Sequence, residues 1–176
     1  MERYIKLYNN VIEPNVCDAM IELFDKQDSV ERKNPIMDFT EINLMQNKKV
    51  WGQHTDYLSY TFRQVLEQYR TECKITSWPS KYAFEEFRMK RYEPNVGKFD
   101  EHVDVGDYST ARRFLAFFAY LNNGVSGETS FDDLGIVVPR NVGSVLVFPP
   151  LWTYPHTGRV PEMDPKYIIG SYLHYV

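Results

Sequence analysis

A chain of 176 residues, 43% hydrophobic and 15% aromatic, is long enough to bury a core as one domain without disulfides or structural zinc, and its aromatic content favours β structure. A net charge of −4 gives no electrostatic reason to expect nucleic acid or an anionic membrane as partner. The opening "MERYIKLYNNVIEPNV" lacks the apolar core of a secretory leader, and no stretch has the length and apolarity to span a bilayer. A soluble, cytoplasmic protein is expected, with Cys17 and Cys73 as two buried thiols in a reducing compartment.

In chain order, "YIKLY" (4–8) alternates like a short strand. "EPNVCDAMIELFDKQ" reads as a helix, with Pro14 in its first turn and Val16, Cys17, Met20, Ile21 and Phe24 on one face. Residues 29–54 are polar and aperiodic, which predicts a long irregular segment. A second helix is expected from about Asp56 to Cys73, with Leu58, Phe62, Val65, Leu66 and Tyr69 at helical spacing and "TSWPS" closing it. From residue 82 the pattern turns to strands: "YAFEEFRMKRY", "RRFLAFFAYL", "GIVVP", "GSVLVFP" and "YIIGSYLHYV", separated by Gly, Pro and Asn. The expected fold is α+β and mainly β, two sheets packed face to face with the helices buttressing one side. An exposed apolar strand reads the same as a buried one, which leaves the oligomeric state open.

The chemistry concentrates in "FDEHVDVGDY" (99–108), where His102 and Asp104 stand two positions apart at a strand end. Such a pair alone is a weak signal. Two histidines and one carboxylate on one face of an iron leave three coordination positions open, the arrangement of non-haem Fe(II) oxygenases. His156, in "LWTYPHTGRV" after the strand "GSVLVFP", is the natural third ligand. Taken singly, it also reads as a polar residue beside a turn. His54, in the irregular segment, and His174, near the C-terminus, read as structural or exposed. Lys166 opens the final strand ten positions beyond His156; it reads either as a surface lysine in the turn "DPKY" or as a cation for the distal carboxylate of a 2-oxoacid chelating the metal. A zinc hydrolase can use a similar ligand set, and would leave Lys166 without a task.

The ordered blocks "RYEPNVGKFDEHVD", "YLNNGVSGETSF", "VPRNVGSVLVFP" and "YPHTGRVPEMDPKYIIGSYLHY" together resemble the 2-oxoglutarate/Fe(II)-dependent dioxygenases of the prolyl 4-hydroxylase type. The opening "YIKLYNNVIEPNVCDAMIELF" is similar to that family's N-terminal strand and helix, so the resemblance covers nearly the whole chain. It implies one catalytic domain over 1–176, a double-stranded β-helix (jelly roll) whose core is 81–176 and whose strand and helical support is 1–80. It implies His102, Asp104 and His156 as iron ligands and Lys166 as the partner of the far carboxylate of 2-oxoglutarate. Tyr92 matches a tyrosine that reaches the cosubstrate, and Thr129, in "GETSF", a threonine lining its pocket. Ser126 replaces the first glycine of the family's Gly-Gly-Glu-Thr, and Tyr172 stands where the family often has tryptophan.

The implied reaction couples O2 and 2-oxoglutarate, with ascorbate as reductant, to C–H hydroxylation, releasing succinate and CO2. The family's default substrate is a prolyl residue in a peptide or protein. The alternatives are a small molecule or a non-prolyl side chain, or a non-catalytic metal-binding module. Tyr92, Phe117, Phe148 and Tyr172 are candidate aromatic walls. Segment 29–54 and the loop "VGDYSTARR" (105–113) are expected to flank the mouth, with Arg112, Arg113 and Tyr172 as candidate substrate contacts.

Overall fold

The computed structural model describes residues 2–176. After strand β1 (Lys6–Tyr8), Pro14 opens helix α1 (Pro14–Phe24), where its missing N–H costs nothing, and Cys17, Met20 and Phe24 form the buried face. Cys17 and Cys73 are both buried free thiols.

Segment 29–54 is not irregular. It holds a hairpin of β2 (Val30–Asn34) and β3 (Met37–Asn43), a single 3-10 turn (Leu44–Gln46) and the start of helix α2 (Lys48–Glu72). The Asn34 side chain accepts the N–H groups of Ile36 and Met37 at 2.9 and 3.0 Å, which shapes the hairpin turn. Every residue of β2 is exposed, so its sequence carries no alternation to read. Helix α2 begins at Lys48 rather than near Asp56 because Asn47 caps it, accepting the Val50 N–H at 3.4 Å, and because Trp51 and Thr55 extend the buried stripe.

The remaining strands are β4 (Tyr82–Phe84), β5 (Arg88–Tyr92), β6 (Lys98–His102), β7 (Arg113–Tyr120), β8 (Thr129–Phe131), β9 (Ile136–Val138), β10 (Val145–Phe148), β11 (His156–Gly158) and β12 (Lys166–Tyr175). All pair antiparallel, in the order β1-β10-β7-β12-β5-β3-β6-β11-β8-β9, with β2 on β3 and β4 on β12. The two walls are therefore one hydrogen-bonded ladder rolled upon itself, a jelly roll rather than two separate sheets. The seam is β3: Thr40–Asn43 pair with β5, while Met37 and Asp38 pair with Phe99 and Lys98 of β6.

Strand alternation sorts the side chains into two cores. On β7, Leu115, Phe117 and Ala119 face the helices, where Phe117 stacks on Phe62 at 5.3 Å, whereas Ala116, Phe118 and Tyr120 face the inside of the roll. Phe117 is thus excluded from the pocket wall expected of it, and Phe118 occupies that wall. Among the described residues, no helix is long and apolar enough to cross a membrane.

Candidate active site

Strands β6 and β11 run antiparallel with His156 directly opposite His102, so pairing alone brings together residues more than fifty positions apart. Asp104 lies just beyond the end of β6. His102 Nε2 is 3.6 Å from Asp104 Oδ1, His156 Nε2 is 3.5 Å from Asp104 Oδ2, and one ligand atom from each residue falls within 4.8 Å of the others. His102 Nδ1 lies 2.8 Å from the carbonyl of Asp100, and His156 Nδ1 3.2 Å from that of Tyr154. A proton on each Nδ1 satisfies those carbonyls and leaves both Nε2 lone pairs aimed at the cluster.

Asp104 Oδ2 and His156 Nε2 are buried with no hydrogen-bond partner. Orphaned polar atoms of this kind cost free energy unless something fills the gap between them. A divalent cation satisfies both, and two imidazoles with one carboxylate form a donor set that suits non-haem iron. The three residues fit a metal.

Burial pushes the Asp104 carboxyl up, but the facing imidazoles and the Tyr172 hydroxyl reverse this and leave it below the ordinary carboxylate range. Burial drives the His156 imidazole down to about 4, against the pull of Asp104. At neutral pH the cluster therefore offers an anion and an unprotonated ring, the forms that ligate metals. Aromatic rings enclose it: Phe99 stacks on His102 at 3.5 Å, and Phe148 sits edge-on to His156 at 4.8 Å.

The Tyr172 hydroxyl donates to Asp104 Oδ1 at 2.8 Å. Burial and the neighbouring carboxylate raise the phenol well above its ordinary value, so it remains a donor. It holds Oδ1, the oxygen nearer His102, while Oδ2 faces His156. Tyr172→Phe is expected to keep the fold and raise the Kd for Mn(II) about ten- to a hundredfold, read by calorimetry, because partners behind metal ligands carry that much affinity.

A narrow inner cavity leads away from the cluster to Lys166, with Thr129 and Ile168 in its lining. Lys166 is 1% exposed, stands opposite Tyr92 in the β12–β5 pairing, and places Nζ 5.2 and 5.9 Å from the ring centres of Tyr92 and Tyr120. Thr129 is tied down by the Tyr120 hydroxyl, which donates to its Oγ1 at 2.7 Å. Burial, reinforced by the Arg140 cation and opposed by Glu128, pushes the Lys166 amine down to about 7. Among the described residues no carboxylate forms an ion pair with it. An ammonium held in a dry slot without a counter-ion is a receptor for a carboxylate.

The support behind Lys166 was not legible as such in the sequence. Asn122 donates to the carbonyl of Pro165 at 2.7 Å and accepts the Tyr167 N–H at 3.1 Å, gripping the chain on both sides of the lysine. Arg140, fully buried, donates to the carbonyls of Pro165 and Asp164 at 3.1 and 3.3 Å. A Cβ on Gly124 would collide with the Arg140 guanidinium. Gly124→Ala is therefore expected to destabilise the fold by about 1–3 kcal/mol through overpacking, measured as a lower urea midpoint.

A wider groove opens above the cluster, floored by β3, β5 and β6 and edged by Gly106, Asp107 and Thr110 of the 105–113 loop. Arg113 reaches it but is committed: its Nε and Nη2 meet Glu85 at 2.9–3.1 Å, Nη1 donates to the Asp104 carbonyl at 3.2 Å, and its guanidinium lies 4.2 Å over the Tyr172 ring. Arg112, expected as a substrate contact, lies outside this groove's lining and borders a separate depression with Met45, Phe84 and His174. His54 packs on Trp51 of α2, and His174 stands 3.4 Å from Glu85; neither joins the cluster. Lys90, which lines both the inner cavity and the groove, was missed. Its signal was its place two residues before Tyr92, on the same face of β5.

No protein-family model matches the chain, and no curated protein matches it in sequence. Solved structures do resemble it. A viral collagen prolyl hydroxylase from Paramecium bursaria Chlorella virus-1, in its 2OG complex, has a TM-score of 0.73 at 19% identity, over 98% of this chain and 97% of that one. A Trichoplax adhaerens prolyl hydroxylase, in complex with a peptide fragment of hypoxia inducible factor, has 0.76 at 11% identity, over 98% and 84%. A Pseudomonas putida prolyl-4-hydroxylase has 0.71 at 14% identity, over 98% and 92%. The chain thus has the jelly-roll fold of the prolyl hydroxylases and of the 2OG-Fe(II) oxygenases.

Proposed function

We propose that this protein is an Fe(II)/2-oxoglutarate-dependent oxygenase that hydroxylates a C–H bond, with a prolyl residue of a peptide or protein as the substrate its fold suits best. The observation that carries the proposal is the convergence of His102, Asp104 and His156, with two orphaned ligand atoms, at one end of a cavity whose other end is the unpaired Lys166. The peptide bound to the Trichoplax neighbour supports a polypeptide substrate.

His102, Asp104 and His156 would hold the iron. Lys166 would pair with the far carboxylate of 2-oxoglutarate, beside the rings of Tyr92 and Tyr120. Together the metal and cosubstrate supply oxidation of the C–H bond by O2, with 2-oxoglutarate leaving as succinate and CO2. The protein's own part is orientation and dryness. Tyr172 and the backbone carbonyls of Asp100 and Tyr154 fix the three ligands, and Phe99, Phe118 and Phe148 keep water from them. No side chain is required as a general acid or base.

The test is succinate release from 2-oxoglutarate by wild type and by His102→Ala, with Fe(II) and ascorbate present, with and without proline-rich peptides. Wild-type succinate that rises with peptide, together with peptide hydroxylation by mass spectrometry, is the expected result. Equal succinate from the two proteins defeats the oxygenase reading. Stimulation by free amino acids but not by peptides moves the substrate to a small molecule.

A further inference from the structure

Resting on that reading, we infer that the substrate carries a carboxylate close to the reacting C–H bond, and that Lys90 binds it. In the pairing of β5 with β12, Tyr92 faces Lys166 and Lys90 faces Ile168, one step nearer the mouth. Lys90 is partly buried and lines both the inner cavity and the outer groove, so its amine stands at the passage between cosubstrate and substrate spaces. Phe39 and Phe99 flank the amine, with ring centres 4.7 and 5.6 Å from Nζ, and hold it over the passage.

The groove's other basic groups are already matched. Arg32 meets Glu41 at 2.8 Å, Arg88 meets Glu41 and Glu86 at 3.2 and 2.6 Å, and Arg113 meets Glu85 at 2.9 Å. Among the described residues, Lys90 alone of the groove's cations has no ion-paired acid. The filled site points the same way. Fe(II) with the Asp104 anion, the two carboxylates of 2-oxoglutarate and the Lys166 cation sum to neutrality, which leaves the charge of Lys90 uncompensated. A substrate carboxylate supplies the missing anion, and in so confined a place the pairing selects acids over neutral isosteres. The carboxylate comes either from a free amino acid or from an acidic side chain beside the target residue of a peptide.

The experiment loads the full chain with Mn(II) and first measures 2-oxoglutarate binding by calorimetry. Failure of that step alone sinks the oxygenase reading, whatever Lys90 does. On the loaded protein, line broadening of probe protons by Mn(II) then compares L-proline with L-prolinamide, and a capped Pro-Glu peptide with its Pro-Gln counterpart. One acid is expected to bind about ten- to a hundredfold more tightly than its amide, as charge-assisted hydrogen bonds give; which pair shows the preference identifies the source. Lys90→Met is expected to abolish the preference, Lys90→Arg to retain it, and both to keep 2-oxoglutarate affinity within about twofold. No preference for either acid in wild type overturns the inference. So does a loss of 2-oxoglutarate affinity in Lys90→Met as large as in Lys166→Met, which would assign Lys90 to the cosubstrate.

Discussion

Lys166→Met is expected to lose 2-oxoglutarate and gain stability in the same stroke. The loss follows from leaving a buried carboxylate without its cation, which costs about 3–5 kcal/mol and raises the Kd at least about a hundredfold. The gain follows from burial. The amine's pKa falls from 10.5 to about 7 on folding, and every tenfold loss of proton affinity costs the charged form about 1.4 kcal/mol. Between about pH 7 and 10.5 the unfolded chain holds more protons than the folded one, so native stability rises with pH across that window. Below about pH 7 both states are charged and the whole cost is present. Metal-free Lys166→Met should therefore melt above wild type at about pH 7, and the margin should shrink as pH approaches 10.5. A variant that melts below wild type at neutral pH contradicts the assignment of an uncompensated buried cation.

Removing Asp104 should be the most damaging change to chemistry. Asp104→Ala takes away the one anion of the cluster and the group that Tyr172 and both imidazoles address. Mn(II) binding should fall below detection by calorimetry, and turnover should fall at least about a thousandfold, the scale of several kcal/mol that a metal contributes. His156→Ala should match it in turnover. Asp104→Asn separates charge from shape: it keeps the Tyr172 contact geometrically possible, yet it too should fail to hold the metal. Tight Mn(II) binding by either Asp104 variant would remove the cluster from the mechanism.

The readable parts of this molecule were those where chemistry and local pattern coincide. His102 and Asp104 fall at the end of one strand, His156 begins another, and Lys166 opens a third, so short motifs mark the positions that strand pairing later joins. Where a run is apolar throughout, its two faces look alike, which is why "RRFLAFFAYL" concealed that Phe118, not Phe117, turns inward. In the hairpin, β2 was hidden because an exposed strand has nothing to alternate against, and β3 because one of its two buried positions is the charged Glu41. Asn122 and Arg140 act through main-chain carbonyls forty-three and twenty-five positions away, a relation no window along the chain contains. Lys90 looked like one more charge in a basic stretch; only the register that turns it inward gives it meaning.

The seam at β3 has a mechanical consequence. Four rungs tie this strand to β5, yet only Met37 and Asp38 bridge it to β6. So short a ladder, matched by the two-rung pairings of β11 with β6 and with β8, is the kind of place from which local openings are drawn. Met37 and Phe39 on one side of that line, and Phe99 and His102 on the other, also border the groove above the cluster. Parting the seam would widen the entrance while β12, carrying Lys166, stays clamped between β5 and β7. Movement at the seam and the seat of Lys166 are thereby uncoupled, so one can yield without loosening the other.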